Sequence, residues 1–482
     1  MLRPTPSSLV TIACIALLLT AAGAAAHPLD SLQPGQWYEV PNSKMSAVVQ
    51  TPTAPDSWNG AKSIISSWSG GAYDVKRDRL VIWGGGHHDY SGNEVYVFDT
   101  PTLQWSRLND YSPDVGGSEA SGYYPDGKPR ARHTYNYVAY VPPPTDRFCS
   151  LGGAALFPSG QITLANVDCF DFGTLTWTRY DDAPPGCYYI GAFSAVDGSG
   201  LVWTHGAAGN GTFCSFDPQA PKGSQWKKHY AWGGWVSYAY TATIDTKRNQ
   251  FVAVGNNATT VWDLAAPGNK PVTLATTGAT AIEQISSPGV AYDPKSDRIV
   301  AWNTGADVYT LDPATKVWKV HAPSSMAKVS DVTGLDRAAN GTYGRFRYVP
   351  SHNVFVVVNG IDKNVFYYKL SPGGGTPYPD AGVPDASTGA DASTTRDAGG
   401  KGDAGGADTQ TGDATPATDA AKDAGSTGDD SGGSDAAAPT TDGDGGCSCS
   451  TVASGATSAS TLSMLVLLFA ALALRRRRRD PR

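Results

Sequence analysis

The chain has 482 residues, of which 40% are hydrophobic and 17% charged, with 55 glycines, 33 prolines and a formal net charge of −7. That apolar fraction excludes a chain that is disordered throughout, and the acidic balance excludes a basic nucleic-acid binder. The negative charge is concentrated near one end, and with both ends set apart the middle carries only about −2, so no nucleic-acid partner is expected.

Residues 1–26 read as a secretory signal peptide: Arg3, the apolar run LVTIACIALLLTAAG and the small-residue GAAA before His27. The mature chain is expected to begin near His27 and to work outside the cytoplasm. Cysteine usage fits that compartment. Cys14 leaves with the leader, and Cys447 and Cys449 belong to a terminal motif. The remaining Cys149, Cys169, Cys187 and Cys214 are an even number, which in an exported domain favours disulfides. Cys149 and Cys169 fall on successive strands of one hairpin and are the expected pair.

Residues 27–370 contain a repeat. Strand-turn-strand units recur as AYDVKRDRLVIWGGG from Ala72, AYVPPPTDRFCSLGG from Ala139, AVDGSGLVWTHGA from Ala195, TIDTKRNQFVAVGN from Thr243, AYDPKSDRIVAWNT from Ala291 and RYVPSHNVFVVVNG from Arg347. Each is followed by a third strand ending near an aspartate, as in EVYVFD, and usually by a fourth bearing tryptophan. Units of four short strands at a spacing of about 50 residues predict an all-β fold, a β-propeller of six blades. A seventh would have to lie before Trp68 or between Asn109 and Pro129. The last unit lacks its tryptophan strand, and GQWYEVPN around Trp37 has the missing pattern. Closing the ring with that N-terminal strand would remove an open sheet edge.

The diglycine after the second strand, the VYVFD third strand and the tryptophan of the fourth resemble the kelch/galactose-oxidase-like propeller family over nearly all of this region.

From 371 to 446 the chain is almost entirely Asp, Ala, Gly, Thr, Ser and Pro, with 14 aspartates against Arg396, Lys401 and Lys422. With no apolar side chains to bury and strong self-repulsion, it reads as an extended stalk. Residues 447–482 then bring GCSCS, the apolar TLSMLVLLFAALAL and five arginines from Arg475 to Arg479. This end resembles the myxosortase-type (MYXO-CTERM) sorting signal, which implies a sorting protease at the membrane as a partner and a cell-surface or outer-membrane location. A single-span anchor without processing is the alternative, since arginines behind an apolar helix orient it as a stop-transfer segment.

In such a blade the innermost strand comes first, and the short turns VKRDR, PPPTDR and PKSDR share one face of the ring. The opposite face receives the loops after the second strands and the starts of the innermost ones. His87, His88, Asp89 and Tyr90 fall there, with Arg130, Arg132, His133 and Tyr135 of RARHTY. Tyr188 and Tyr189, His205, Trp232, Trp235 and Tyr238, and then Tyr343 and Arg345 join them. A funnel of His, Arg, Tyr and Trp around the axis is the default binding site. The glycines after Trp83 are blade architecture, and Asn93 and Glu94 read as turn and strand-edge residues.

One chemistry uses this set. β-Elimination beside a uronate needs a base for the C5 proton, an acid for the leaving oxygen and a cation to neutralise the carboxylate, roles open to His, Tyr and Arg. The chain also looks like propeller polysaccharide lyases of the ulvan-lyase kind. That resemblance implies His87, His133 and Tyr189, or its neighbour Tyr188, as catalytic residues acting on an acidic polysaccharide. His88, Arg132, Tyr188, His205, Trp235, Tyr238, Tyr343 and Arg345 would bind substrate, with Arg132 and Arg345 both eligible to neutralise its carboxylate. No cofactor is required. His87, His133 and His205 could together hold a metal ion such as zinc, though no ligand-pair spacing supports it. A non-catalytic glycan- or protein-binding propeller is the alternative function. A copper radical oxidase is a third, resting on Cys187 beside two tyrosines.

Overall fold

The computed structural model describes residues 26–86, 88–115, 122–157, 160–206, 211–231 and 239–379. Residues 1–25 of the expected leader, and residues 380–482 with the expected stalk and terminal motif, lie outside these. None of the helices among the described residues is long and apolar enough to cross a membrane.

Short runs of β-branched and aromatic residues, punctuated by turn residues, form strands because their side chains alternate between two faces that both find apolar cover. Blade 1 shows the pattern: Gly71–Asp74, Arg79–Ile82, Tyr96–Asp99 and Gln104–Arg107 pair antiparallel in sequence order. The innermost strands of the next five blades are Val138–Val141, Phe193–Val196, Thr241–Asp245, Gly289–Asp293 and Phe346–Val349. Each begins a sheet of the same order. Blade 2 carries an inserted hairpin, Gly153–Phe157 with Gly160–Leu164, between its second and third strands.

Six blades form the ring, and no seventh lies in either candidate stretch among the described residues. The sixth contributes three strands from the end of the region, and Gln36–Glu39 pairs antiparallel with its Phe366–Tyr368 to complete it. Trp37 is fully buried in that joint, packing on Tyr368 and Trp302 while its indole N–H donates to the Ala306 carbonyl at 2.9 Å. The N-terminal strand therefore closes the ring as the sequence predicts.

A single blade would leave two apolar faces wet, so the core lies between blades. Trp83 and Val97 of blade 1 pack against Val138 and Phe148 of blade 2, and comparable layers lie between the remaining neighbours. Cys149 and Cys169, directly opposite on adjacent strands of blade 2, form the expected disulfide, and Cys187 pairs with Cys214.

The turn face is bolted together. Tyr73, Tyr140 and Tyr292 donate to Asp78, Asp146 and Asp297 of their own turns at 2.6, 2.8 and 3.0 Å. Arg77 reaches from blade 1 to grip both oxygens of Asp146 at 2.8 Å, and Arg248 grips Asp297 of blade 5 at 2.7 and 2.8 Å. Bidentate pairs of this geometry are the strong form of the charge-assisted hydrogen bond.

Candidate functional site

On the opposite face residues 84–86 take a path that glycine alone allows. Gly84, Gly85 and Gly86 have φ of +122°, +144° and +96°, a region that penalises any Cβ. At Gly86 a Cβ would stand 2.7 Å from His133 Nε2 and 2.5 Å from Asp89 Oδ2. The missing side chain leaves room for these two groups to meet: His133 Nε2–H donates to Asp89 Oδ2 at 3.0 Å. Because a carboxylate only accepts, the proton of this bond lies on Nε2.

Both partners are fixed from behind. Asp89 Oδ1 accepts from Asn59 Nδ2 at 2.6 Å, and the His133 backbone exchanges hydrogen bonds with Ala154 of the inserted hairpin. Trp68 lies against the imidazole at 4.6 Å between ring centroids, with Tyr135 edge-on at 5.9 Å. His133 is 2% exposed. Beside it, Trp58 stacks on half-buried His88 at 5.4 Å and is itself 69% exposed, which makes it the most accessible large hydrophobic side chain among the described residues.

Three aromatic residues just ahead of innermost strands, Trp68, Tyr135 and Tyr343, hold φ of +48°, +51° and +50°. Left-handed backbone at bulky residues is uncommon and costs on the order of 1–3 kcal/mol each. Here the cost is met by packing: Tyr135 and Tyr343 meet edge to face at 5.9 Å, with Trp68 and Ile190 against them. Loops from four blades thus join in one apolar cluster next to His133.

The structure redistributes the other predicted site residues. Tyr189 is at the rim, 43% exposed, and Tyr188 is half-buried against the core between blades 2 and 3. Arg132 is not available to substrate. Fully buried, it donates to the Arg130 and Gly122 carbonyls and lies over the Trp83 ring. Burial lowers its pKa, with Asp168 opposing that shift. Arg345 is likewise buried, with donors on the carbonyls of Val358, Gly341 and Ser69. Burial lowers its pKa to about 10. It joins the last blade to the first instead of facing a ligand.

His205 and Tyr343 are also corrected from binding to packing. His205 is fully buried between Phe193 and Trp262, and burial lowers its pKa to about 4. Tyr343 belongs to the aromatic cluster and is 1% exposed. His87, Trp232, Trp235 and Tyr238 lie outside the described residues. Asn93 clasps a loop through Ser112 and Pro129, and Glu94 is buried under Tyr90 and Tyr96, which both donate to its Oε1.

Among the described residues no group of three or more His, Cys, Asp or Glu could hold a metal ion. Every described cysteine is in a disulfide. Bonding to Cys214 therefore takes up the Cys187 sulfur that a Tyr–Cys link would need. The residues that sequence reasoning missed, Trp58, Asn59 and Trp68, lie in DSWNGAKSIISSWSGG, which precedes the first recognisable unit and carries no repeat signature.

The chain is thus a six-bladed β-propeller, closed by its N-terminal strand, that carries a histidine–aspartate pair and exposed aromatics on its loop face. No family model matches the chain, and no curated protein matches it. Among solved structures it is similar to a fungal alcohol oxidase of the AA5 family in complex with copper, at 12% identity and a TM-score of 0.39. That match spans 62% of this chain and 62% of the oxidase structure.

Proposed function

We propose that this is an exported protein whose loop face binds an acidic polysaccharide and cleaves it by β-elimination. The observation carrying the reading is the His133–Asp89 hydrogen bond of 3.0 Å beside a glycine turn and exposed aromatics. Asp89 orients the imidazole, selects its tautomer and stabilises it once protonated. In the reaction His133 takes the C5 proton, the C4–O bond breaks, the leaving oxygen takes a proton from Tyr189, and a C4=C5 double bond remains. No electrons are exchanged with a cofactor. Trp58 and His88 offer an apolar ring surface on which a sugar can stack. Two disulfides are compatible with an extracellular setting.

A second reading, glycan binding without cleavage, is favoured by the burial of Arg132 and Arg345, which leaves neither to neutralise a uronate carboxylate. One assay separates the two. The full chain is incubated with alginate, pectate, ulvan and heparan sulfate while absorbance near about 235 nm follows the unsaturated product. A rise that His133→Ala and Asp89→Asn each reduce by at least about 100-fold supports the lyase. Retention on an immobilised glycan with no rise supports the binding module, and a rise untouched by both substitutions removes His133 and Asp89 from the chemistry.

A further inference from the structure

At the other end of the ring axis, on the turn-face side, a cavity of about 390 Å³ opens between all six innermost strands. Its wall contains one position from each repeat, the residue before Tyr73, Tyr140, Val196, Ile244, Tyr292 and Tyr348. Five blades place a small residue there: Ala72, Ala139, Ala195, Thr243 and Ala291. The sixth places Arg347. Five short side chains leave the space, and one long cation stands in its wall.

Arg347 is not neutralised. Its Nε donates to the Gly344 carbonyl at 2.9 Å and its Nη2 to that of Gly71 at 3.0 Å, both neutral acceptors. Nη1 has no hydrogen-bond partner among the described residues. Burial without a carboxylate nearby lowers the pKa to about 10, still leaving the group cationic at neutral pH. The carboxylate on the cavity wall, Asp197, is turned to Ser199 and to the Trp203 indole, at 2.6 and 2.7 Å. A half-buried cation with idle donors in an otherwise largely apolar chamber calls for an anion that brings its own apolar body, because a desolvated charge is costly until paired. A cavity of roughly 300–1,000 Å³ is of the size that takes small organic ligands.

We infer that this axial cavity binds a small organic carboxylate, its anionic head on Arg347 Nη1 and its hydrocarbon body along the alanine-lined wall. The site is separate from the His133–Asp89 face and does not depend on what that face does. Inorganic phosphate, strongly hydrated and lacking an apolar part, is a poor fit.

The test is calorimetric titration of the full chain with 4-phenylbutyrate, its neutral amide 4-phenylbutyramide, and inorganic phosphate. The expected result is saturable binding of the carboxylate, at least about tenfold weaker binding of the amide, and no competition from phosphate. Arg347→Gln should weaken carboxylate binding at least about tenfold. Ala291→Phe, which adds an aromatic ring at the chamber wall, should abolish it. Because the carboxylate–amide comparison uses the unaltered chain, the test survives if Arg347→Gln fails to fold. Equal affinity for acid and amide, binding unchanged in Ala291→Phe, or no binding at about 10 mM carboxylate would each overturn the inference.

Discussion

The two faces of the propeller are built from the same repeat and held by opposite means. On the turn face, blades are joined by ion pairs and tyrosine–aspartate bonds that recur with the repeat: Arg77 to Asp146 between blades 1 and 2, Arg248 to Asp297 between blades 4 and 5. On the loop face, among the described residues, ion pairs between blades do not recur in that way. Buried arginines reach single backbone carbonyls, aromatic residues hold left-handed backbone, and one histidine is pinned to one aspartate. Regular, charge-paired contacts can hold a ring with little strain. Irregular contacts are what a site requires, because a binding surface must differ from blade to blade.

Arg345 offers the severest test of this contrast. Arg345→Met strips the donors from three buried carbonyls and should cost roughly 3–5 kcal/mol in denaturant unfolding. A loss below that of the turn-face clamps would show that the loop face is not held by its buried arginines.

Acidification should then separate the faces by pH. Folding lowers the pKa of His205 from 6.5 to about 4 through burial. The folded state therefore binds fewer protons than the unfolded one between those values. Stability from this group is complete above pH 6.5 and falls as the pH drops toward about 4, by about 3 kcal/mol in all. His205→Phe should flatten that part of the profile. The turn face responds later. Burial pushes the Asp146 carboxyl up, but hydrogen bonds from Arg77, Lys76 and Tyr140 outweigh it and hold the group well below its usual 3.8. Its contribution is full above that value and is lost only as the pH falls further. Unfolding midpoints measured from pH 7 down to about pH 1 should resolve the two phases, and a single transition below pH 4 would contradict that order.

Next in size is Gly86→Ala, which places a Cβ against His133 at a φ of +96° and should cost about 1–3 kcal/mol. It should also part His133 from Asp89, so any loop-face activity falls further than the unfolded fraction explains. Arg77→Gln, at the turn face, should cost about 1–2 kcal/mol and leave that activity unchanged. Smallest in stability is Trp58→Ala, within about 0.5 kcal/mol because the side chain is 69% exposed. Its signature is weaker retention on acidic glycan, by about tenfold.

Much of the architecture was legible because it repeats. Six units, their third strands and the stray tryptophan strand at Trp37 could be aligned without coordinates, and Cys149 and Cys169 could be paired from their places on neighbouring strands. The candidate site was legible only as a list of residue types on one face. Arg132 and Arg345 looked like ligand-facing cations because a sequence shows charge and not the direction of a side chain. Both turn inward to carbonyls. His205 sits at the loop-face end of its strand, as predicted, yet Phe193 and Trp262 seal it. Arg347 carried a signal that went unused: it is the one charged residue at a position where the other units have alanine or threonine.

The ring follows from the order of residues alone, since strand period, turn residues and a complementary N-terminal strand are local or repeating properties that any blade must satisfy. Which polar residues face out does not follow from it. That depends on contacts between segments far apart in the chain, such as Gly86 against His133, Trp58 against His88, or Arg347 against Gly71. Such contacts exist once the blades have closed, because only then does each loop meet its neighbour.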